Sequence, residues 1–376
     1  MNNDILLLIM AVASIKKVDK IFLLISVVLI VGGFFIFHSA SLALLAKETS
    51  NYSNVAFSQT FFGLFLGTLA MLFFSRMDFQ IWKKVAMWLL LAAIILNIIV
   101  LVPGIGFEHA GAKRWIRIAG ISFQTSEFLK LAFVLYFAAW VSGVKDKVKT
   151  FYWGFLPLVI LFAISSALLL RQPDTDNLLV IILAGMAMFI VTGAKWRHIL
   201  LIVLAGAIGF AFLVATRPYL AQRVATFLDP QADALGASYQ VRQSLIAVGS
   251  GGLFGRGYGQ GIQKFTYLPE PVGDSVFAVA AEEFGFVGSV FLIFMFVLFA
   301  TRGLKIASNT SNTFARLTVV GIVIMITSQA FINIGAMLGV LPLSGITLPF
   351  VSLGGTSLFF TLVEVGIILS ISRHKA

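Results

Sequence analysis

Ten stretches of this 376-residue chain stay apolar for about the 20 residues that a helix needs to cross a hydrocarbon core. They run near residues 21–45, 55–75, 85–103, 127–144, 151–170, 178–194, 199–217, 275–301, 317–341 and 353–372. Inside lipid every backbone polar group must find a partner within the protein, and continuous apolar runs achieve this as helices. The pattern predicts an all-α polytopic membrane protein, a single domain over 1–376. Composition agrees, with 59% hydrophobic and 11% charged residues against roughly 25% charged in a soluble domain. The absence of cysteine excludes a disulfide scaffold, a thiolate-held metal centre and a thiol nucleophile.

An even number of spans puts both termini on one side, and basic residues identify that side. Alternate loops carry Lys16, Lys17 and Lys20; Arg76, Lys83 and Lys84; Lys145, Lys147 and Lys149; Lys195 and Arg197; Arg302, Lys305 and Arg316; and Arg373 with Lys375. By the positive-inside rule these loops face the cytoplasm. The net charge of +11 is then mostly a record of topology and does not imply a nucleic-acid partner. Residues 1–20 read as a cytoplasmic or interfacial tail, because the positive charges follow the apolar run Ile5 to Ser14 instead of preceding it as in a signal peptide.

The inward loops are short and contain no phosphate-binding GxxxxGK[ST] loop, so chemistry is expected on the outer face. Residues 103–126 and the long segment 218–274 lie there, the latter too rich in aromatic and aliphatic residues to be disordered. Its glycine-rich stretch 249–261 reads either as an anion cradle or as a turn; Arg242, Arg256 and Lys264 nearby run against the topology rule and favour an anionic ligand. Asp274, between a Pro- and Gly-containing turn and an apolar helix, has two open roles, helix N-cap and general base. Glu282, Glu283 and Glu364 lie inside spans, where acids are functional candidates by default, and Glu283 and Glu364 read as structural hydrogen-bond partners.

Glu127 and Lys130, spaced i, i+3 after the N-cap candidate Ser126, are read as an ion pair that is either architectural or reaches an anionic substrate. Asp174, after Gln172-Pro173, is expected to cap the next helix. The Pro- and Gly-rich run 341–357 predicts a re-entrant segment covered by protein. His38, His109, His198 and His374 are scattered and make no metal cluster, whereas a divalent cation held by carboxylates and substrate phosphates is compatible with the sequence.

Seven ordered motifs together resemble the SEDS family, which comprises FtsW, RodA and SpoVE: Lys113-Arg114-Trp115, Ser126-Glu127-Phe128-Leu129-Lys130-Leu131, Gln172-Pro173-Asp174, the run Gln243 to Gly252 with Ser250, Tyr267-Leu268-Pro269-Glu270 leading to Asp274, Ala281-Glu282-Glu283-Phe284-Gly285, and Leu348-Pro349-Phe350-Val351-Ser352. The resemblance spans all ten predicted helices and looks closer to the FtsW branch than to RodA. It implies a glycosyltransferase that polymerises lipid II into β-1,4 glycan on the outer face of the bacterial inner membrane, at the division septum, with Asp274 as general base and lipid pyrophosphate as leaving group. Substrate contacts are then expected at Lys113, Arg114, Trp115, Glu127, Lys130, Asp174, Arg242, Gln243, Ser250, Arg256, Lys264 and Glu270.

Further implications are a magnesium or manganese ion, no organic cofactor, an undecaprenyl-pyrophosphate-linked glycan as second substrate, a class B penicillin-binding protein of the FtsI type as partner, and other divisome membrane proteins. A lipid II flippase and a scaffold that activates the transpeptidase are the alternatives. The chain departs from the family pattern at Val272-Gly273-Asp274-Ser275, where His-Thr-Asp-Phe is common, at Asp176-Asn177 in place of Gly-Thr, and at Leu353 in place of Tyr.

Overall fold

The computed structural model describes residues 18–47, 49–109, 112–118, 121–229, 236 and 238–374. Most of the predicted tail, residues 1–17, lies outside this set. In chain order the spanning elements are α1 (Lys20–Lys47); α2 (Thr49–Phe57), continued by a π-helical stretch, Ser58–Leu66, into α3 (Gly67–Arg76); α4 (Gln80–Ile99); α5 (Thr125–Val144); α6 (Leu156–Leu169); α7 (Thr175–Val191); and α8 (Trp196–Thr216). Three short helices follow, α9 (Pro218–Leu228), α10 (Tyr239–Ser250) and α11 (Gln263–Thr266), then α12 (Val276–Ser308), α13 (Thr313–Met337) and α14 (Gly355–Ser372).

Among the described residues nine helical segments are long and apolar enough to cross a membrane, and α7 is a shorter apolar helix at the position of the remaining predicted span. The helices are hydrophobic all round because lipid and protein interior are equally apolar, so they associate by close packing at small residues. Gly366 of α14 shows this: a Cβ there would lie 2.7 Å from the Met71 carbonyl oxygen of α3. Helices α13 and α14 form the buried centre, whereas α8 leaves most of its surface exposed.

The all-α expectation needs one amendment. Residues after α4 form a three-stranded antiparallel sheet, β1 (Gly106–His109), β2 (Ala112–Ile118) and β3 (Ile121–Gln124), with Trp115 opposite both Phe107 and Gln124. The long segment 218–274 contains the three short helices α9 to α11.

Residues 341–354 are irregular, as a re-entrant segment should be, and neighbouring helices satisfy its backbone. Asn333 Nδ2 donates to the Ile346 carbonyl at 2.7 Å, and Gln329 Nε2 to that of Thr347 at 3.0 Å. Gln59 donates to the Ser352 carbonyl and accepts from the Gly354 N–H, both at 3.0 Å. The segment's Phe350 carbonyl lies so close to Gly33 of α1 that a Cβ there would meet its oxygen at 2.3 Å. The Leu353 N–H donates to the Val272 carbonyl at 2.7 Å, which holds the segment against the turn that carries Asp274.

Candidate active site

Asp274 stands on a turn whose backbone is fixed from several directions. The Glu270 carbonyl accepts from the Gly273 and Ser275 N–H groups at 3.1 and 3.2 Å, and Ser352 Oγ donates to the Gly273 carbonyl at 2.8 Å. Asn333 Nδ2 donates to the Asp274 carbonyl at 2.8 Å, while Gln240 Nε2 of α10 reaches Ser275 Oγ at 3.1 Å. The side chain is treated differently. Its carboxylate accepts no hydrogen bond among the described residues, and the N-cap of α12 is Ser275, without a side-chain capping bond. Capping, one of the two roles open to Asp274, is therefore not what the side chain does.

Other charged groups surround this carboxylate without bonding to it. Asp176, in the first turn of α7, accepts from Arg223 of α9 at 3.1 Å and from the Gly345 N–H at 2.9 Å. A methyl group placed on Gly345 would lie 3.6 Å from Arg223 Nη2, 3.6 Å from Asp176 Oδ2 and 3.7 Å from Asp274 Oδ2, so the three side chains converge on one small space. Burial, then the charges of Glu270 and Asp176, push the Asp274 carboxyl up to about 7, with Arg223 and Arg114 opposing them. A carboxylate poised near neutrality can accept a proton and release it again.

Arg114 projects from β2 to the chain between α6 and α7. Its Nε donates to the Gln172 carbonyl at 3.3 Å, Nη2 donates to the Pro173 carbonyl, and Nη1 pairs with Asp174 at 3.6 Å. Asp174 occupies the N-cap position of α7 but makes no capping bond; it instead accepts from Asn177 Nδ2 at 3.0 and 3.1 Å. Its expected cap role is replaced by that of an anchor for Arg114. Gln172 is held in turn by Asn97, which accepts from Gln172 Nε2 and from Thr125 Oγ1, locking the ends of α4 and α5 beneath the site.

Several residues expected to contact substrate lie elsewhere in the fold. Lys264 is wholly buried: its Nζ donates to Glu283 Oε1 at 2.6 Å and to Ser39 Oγ at 2.9 Å. Arg256 sits 3.5 Å from Glu282, whose carboxylate accepts the Ile262 N–H at 2.9 Å. The glycine-rich stretch 249–261 packs on the break in α12 at Gly285 (φ +67°), where Gly252 and Leu253 carbonyls accept the Phe286 and Val287 N–H groups. Its glycines serve close backbone approach: a Cβ on Gly251 would lie 2.1 Å from the Ala281 carbonyl oxygen. Of the two readings of this stretch, the structure matches the packed turn.

Lys130 is also buried, donating to Glu127 at 2.9 Å and to Gln329 at 2.7 Å, which matches the architectural reading of that pair. Through Gln329 it braces the re-entrant segment. Ser250 Oγ is turned back to the Ala247 carbonyl of its own helix. Lys113 and Trp115 flank Arg114 on β2, and Arg242 and Gln243 lie on α10 just past Gln240. Glu270 acts on Asp274 by its charge. Asp176, Arg223, Gly345 and Asn333 are the members of the site that motif reading misses. The replacement of Gly-Thr by Asp176-Asn177 is the signal that marks one of them, Asp176.

Among the described residues no three His, Asp or Glu side chains group to hold a metal ion. The expected magnesium or manganese ion thus has no all-protein cage at this site, and would have to draw most of its ligands from substrate phosphates.

A bundle of apolar helices with a carboxylate at a helix boundary that accepts no hydrogen bond among the described residues, within electrostatic reach of two guanidinium groups, defines a polytopic membrane protein with acid–base capacity at one end of its bundle. The chain belongs to the FtsW, RodA and SpoVE family of cell cycle proteins, whose family model matches residues 19–376. It is 36% identical to Stage V sporulation protein E of Bacillus subtilis (strain 168), over 95% of this chain and 97% of that protein. A protein of Geobacter sp. (strain M18) named probable peptidoglycan glycosyltransferase FtsW is 37% identical over 96% of this chain and 98% of its own length. Among solved structures, one described as the structural coordination of polymerization and crosslinking by a peptidoglycan synthase complex superposes with a TM-score of 0.76 at 31% identity, covering 95% of this chain and 98% of that one. The rod shape determining protein RodA of Thermus thermophilus gives 0.65 at 27% identity, over 93% and 96% of the two chains.

Proposed function

We propose that this chain is a peptidoglycan glycosyltransferase that polymerises lipid II, with Asp274 as its general base. The observation that carries the reading is the Asp274 carboxylate, fixed in place by its backbone, free of hydrogen bonds among the described residues and raised to about 7. The names of the relatives support the reaction class.

In the proposed step Asp274 takes the proton of the 4-hydroxyl of the acceptor lipid II sugar. The oxygen forms a bond to the anomeric carbon of the undecaprenyl-pyrophosphate-linked glycan, and the bond from that carbon to the pyrophosphate oxygen breaks. Inversion at this carbon gives the β-1,4 linkage, and the electron pair leaves with the lipid pyrophosphate. Arg223 and Arg114, both within electrostatic reach of Asp274, are placed to offset the negative charge that develops. Their existing bonds to Asp176 and Asp174 keep them oriented, so little reorganisation is needed when charge appears.

The reading places the site on the extracytoplasmic face of the bacterial inner membrane at the division septum, with a class B penicillin-binding protein and other divisome proteins as partners. Lipid II polymerisation by purified protein, wild type against Asp274→Asn, with and without such a partner, tests it. Glycan from wild type and at least about a hundredfold less from the variant is the expected result. Equal polymerisation by a folded variant would refute the role of Asp274. Translocation of lipid II without polymerisation would favour a flippase, and partner activation that survives the substitution would favour a scaffold.

A further inference from the structure

At the end of the bundle that bears the inward basic loops, two connections come together. After α5 the chain makes a 3-10 turn, Lys145–Lys149, and a π-helical turn, Phe151–Phe155; the second connection, residues 192–195, leads from α7 into α8. His198 joins them, its ring centroid 5.1 Å from that of Phe155 and 6.2 Å from that of Phe151. A methyl group on Gly193 would touch Lys149 Cε at 3.6 Å. The two loops therefore form one surface.

That surface carries Lys145, Lys147, Lys149, Lys195 and Arg197, all exposed, and none makes an ion pair among the described residues. Topology alone accounts for positive charge here, but it does not account for the rest of the arrangement. Tyr152 is 74% exposed and Trp196 79%, while Trp153 stacks on Trp140 at 6.1 Å and lies 5.6 Å from Lys147 Nζ. His198 is buried, yet its Nδ1 has no hydrogen-bond partner. An unpartnered ring nitrogen on a histidine packed against two aromatic rings, near cations without ion pairs, is an incomplete polar site. One cation at this end is neutralised from within: Arg302 donates to both Asp19 oxygens at 2.9 and 3.0 Å.

From the unpaired cations, the interfacial aromatics and the orphaned His198 nitrogen, we infer that this surface binds the headgroup of an anionic phospholipid. The phosphate diester lies against Lys147, Lys149, Lys195 and Arg197, and the exposed aromatic rings sit at headgroup level above the acyl chains. A diacyl lipid fits better than a free phosphate because the aromatic rings supply apolar contact beside the charges. The inference is independent of the reaction proposed above.

The test uses the full chain in mixed detergent with phosphatidylglycerol and phosphatidylcholine, counting retained lipid by native mass spectrometry. Wild type should retain phosphatidylglycerol in preference. The variant Lys147→Gln/Lys149→Gln/Lys195→Gln/Arg197→Gln, altered only at exposed side chains, should lose about tenfold of that preference. His198→Phe should lose part of it. Lys83→Gln/Lys84→Gln, which removes two charges from the first turns of α4 at the same end of the bundle, should keep it. An unchanged preference in the quadruple variant, or an equal loss in the Lys83/Lys84 control, would overturn the inference. So would thermal stabilisation by inorganic phosphate equal to that by phosphatidylglycerol, which would indicate a simple anion site.

Discussion

Two acidic regions bracket the start of α12, and both combine carboxylates with basic side chains from the preceding segment. In the first, Glu282 and Glu283 are buried and fully engaged: Lys264, Ser39 and the Gly259 N–H bond to Glu283, and the Ile262 and Gln263 N–H groups bond to Glu282. In the second, Asp274 has charged neighbours at close range but no hydrogen bond among the described residues. Residue types are alike in the two regions; completeness of bonding is not. A carboxylate whose oxygens are all occupied serves the fold, whereas one held by its backbone and left open retains capacity for a proton and a substrate.

Removal of Lys264 should separate the two regions most sharply. Lys264→Ala leaves Glu283 buried without its cation, a change that typically costs about 3–5 kcal/mol. The expected outcome is a marked fall in melting temperature and in yield of folded protein, with activity lost only in step with folded protein. Lys264→Met combined with Glu283→Gln, which removes both charges, should recover much of the stability. If Lys264→Ala instead folds normally and loses polymerisation, Lys264 belongs to the reaction and the contrast fails.

The reverse result is expected for Asp274→Asn. The folded carboxyl titrates at about 7, above the ordinary value of about 3.9 in an unfolded chain, so the native state binds its proton more tightly. This contribution to stability is complete below about pH 4 and is lost as pH rises through about 7. The Asn variant lacks that loss, and should melt a few degrees above wild type at pH 8 and level with it at pH 4, despite the expected fall in polymerisation. Thermal melts at the two pH values check the sign; a variant that melts below wild type at pH 8 would show the carboxylate to be structural.

How far this contrast was legible in the sequence depends on length scale. Spans are legible because apolar runs of 20 residues have one solution in lipid, and the re-entrant segment because Pro342, Gly345, Pro349, Gly354 and Gly355 interrupt an otherwise apolar run. The small sheet is legible only in hindsight: in β2, Ala112 and Ile116 are buried while Lys113 and Arg117 are exposed, an alternation too short to stand out beside the helices. Asp274 stood out by its place before a helix. Its neighbours did not, because Asp176 and Arg223 converge from α7 and α9, 47 residues apart, and no local pattern records that. The burial of Lys264 is not legible from its own charge, which says nothing of accessibility. Adjacent acids in an apolar helix demand internal partners, and Glu282-Glu283 was the signal that pointed to it.

The finest test of the contrast concerns the neighbours of Asp274. Arg223 holds the carboxyl down and Asp176 pushes it up, and the two are bonded to each other, so deletion of either exposes the full charge of the other. Arg223→Gln should therefore move the acidic limb of the kcat/KM profile for polymerisation to higher pH, and Asp176→Asn should move it to lower pH, each by about one unit. Both variants also loosen the Gly345 contact, so a drop in maximal rate alone is uninformative, whereas opposite displacement of the limb is not produced by loosening. Shifts in the same direction, or none in either variant, would show that the titrating group in the reaction is not Asp274. The engaged region supplies the control: substitution of Arg256, which contacts Glu282 rather than the open carboxylate, should leave the limb where it stands.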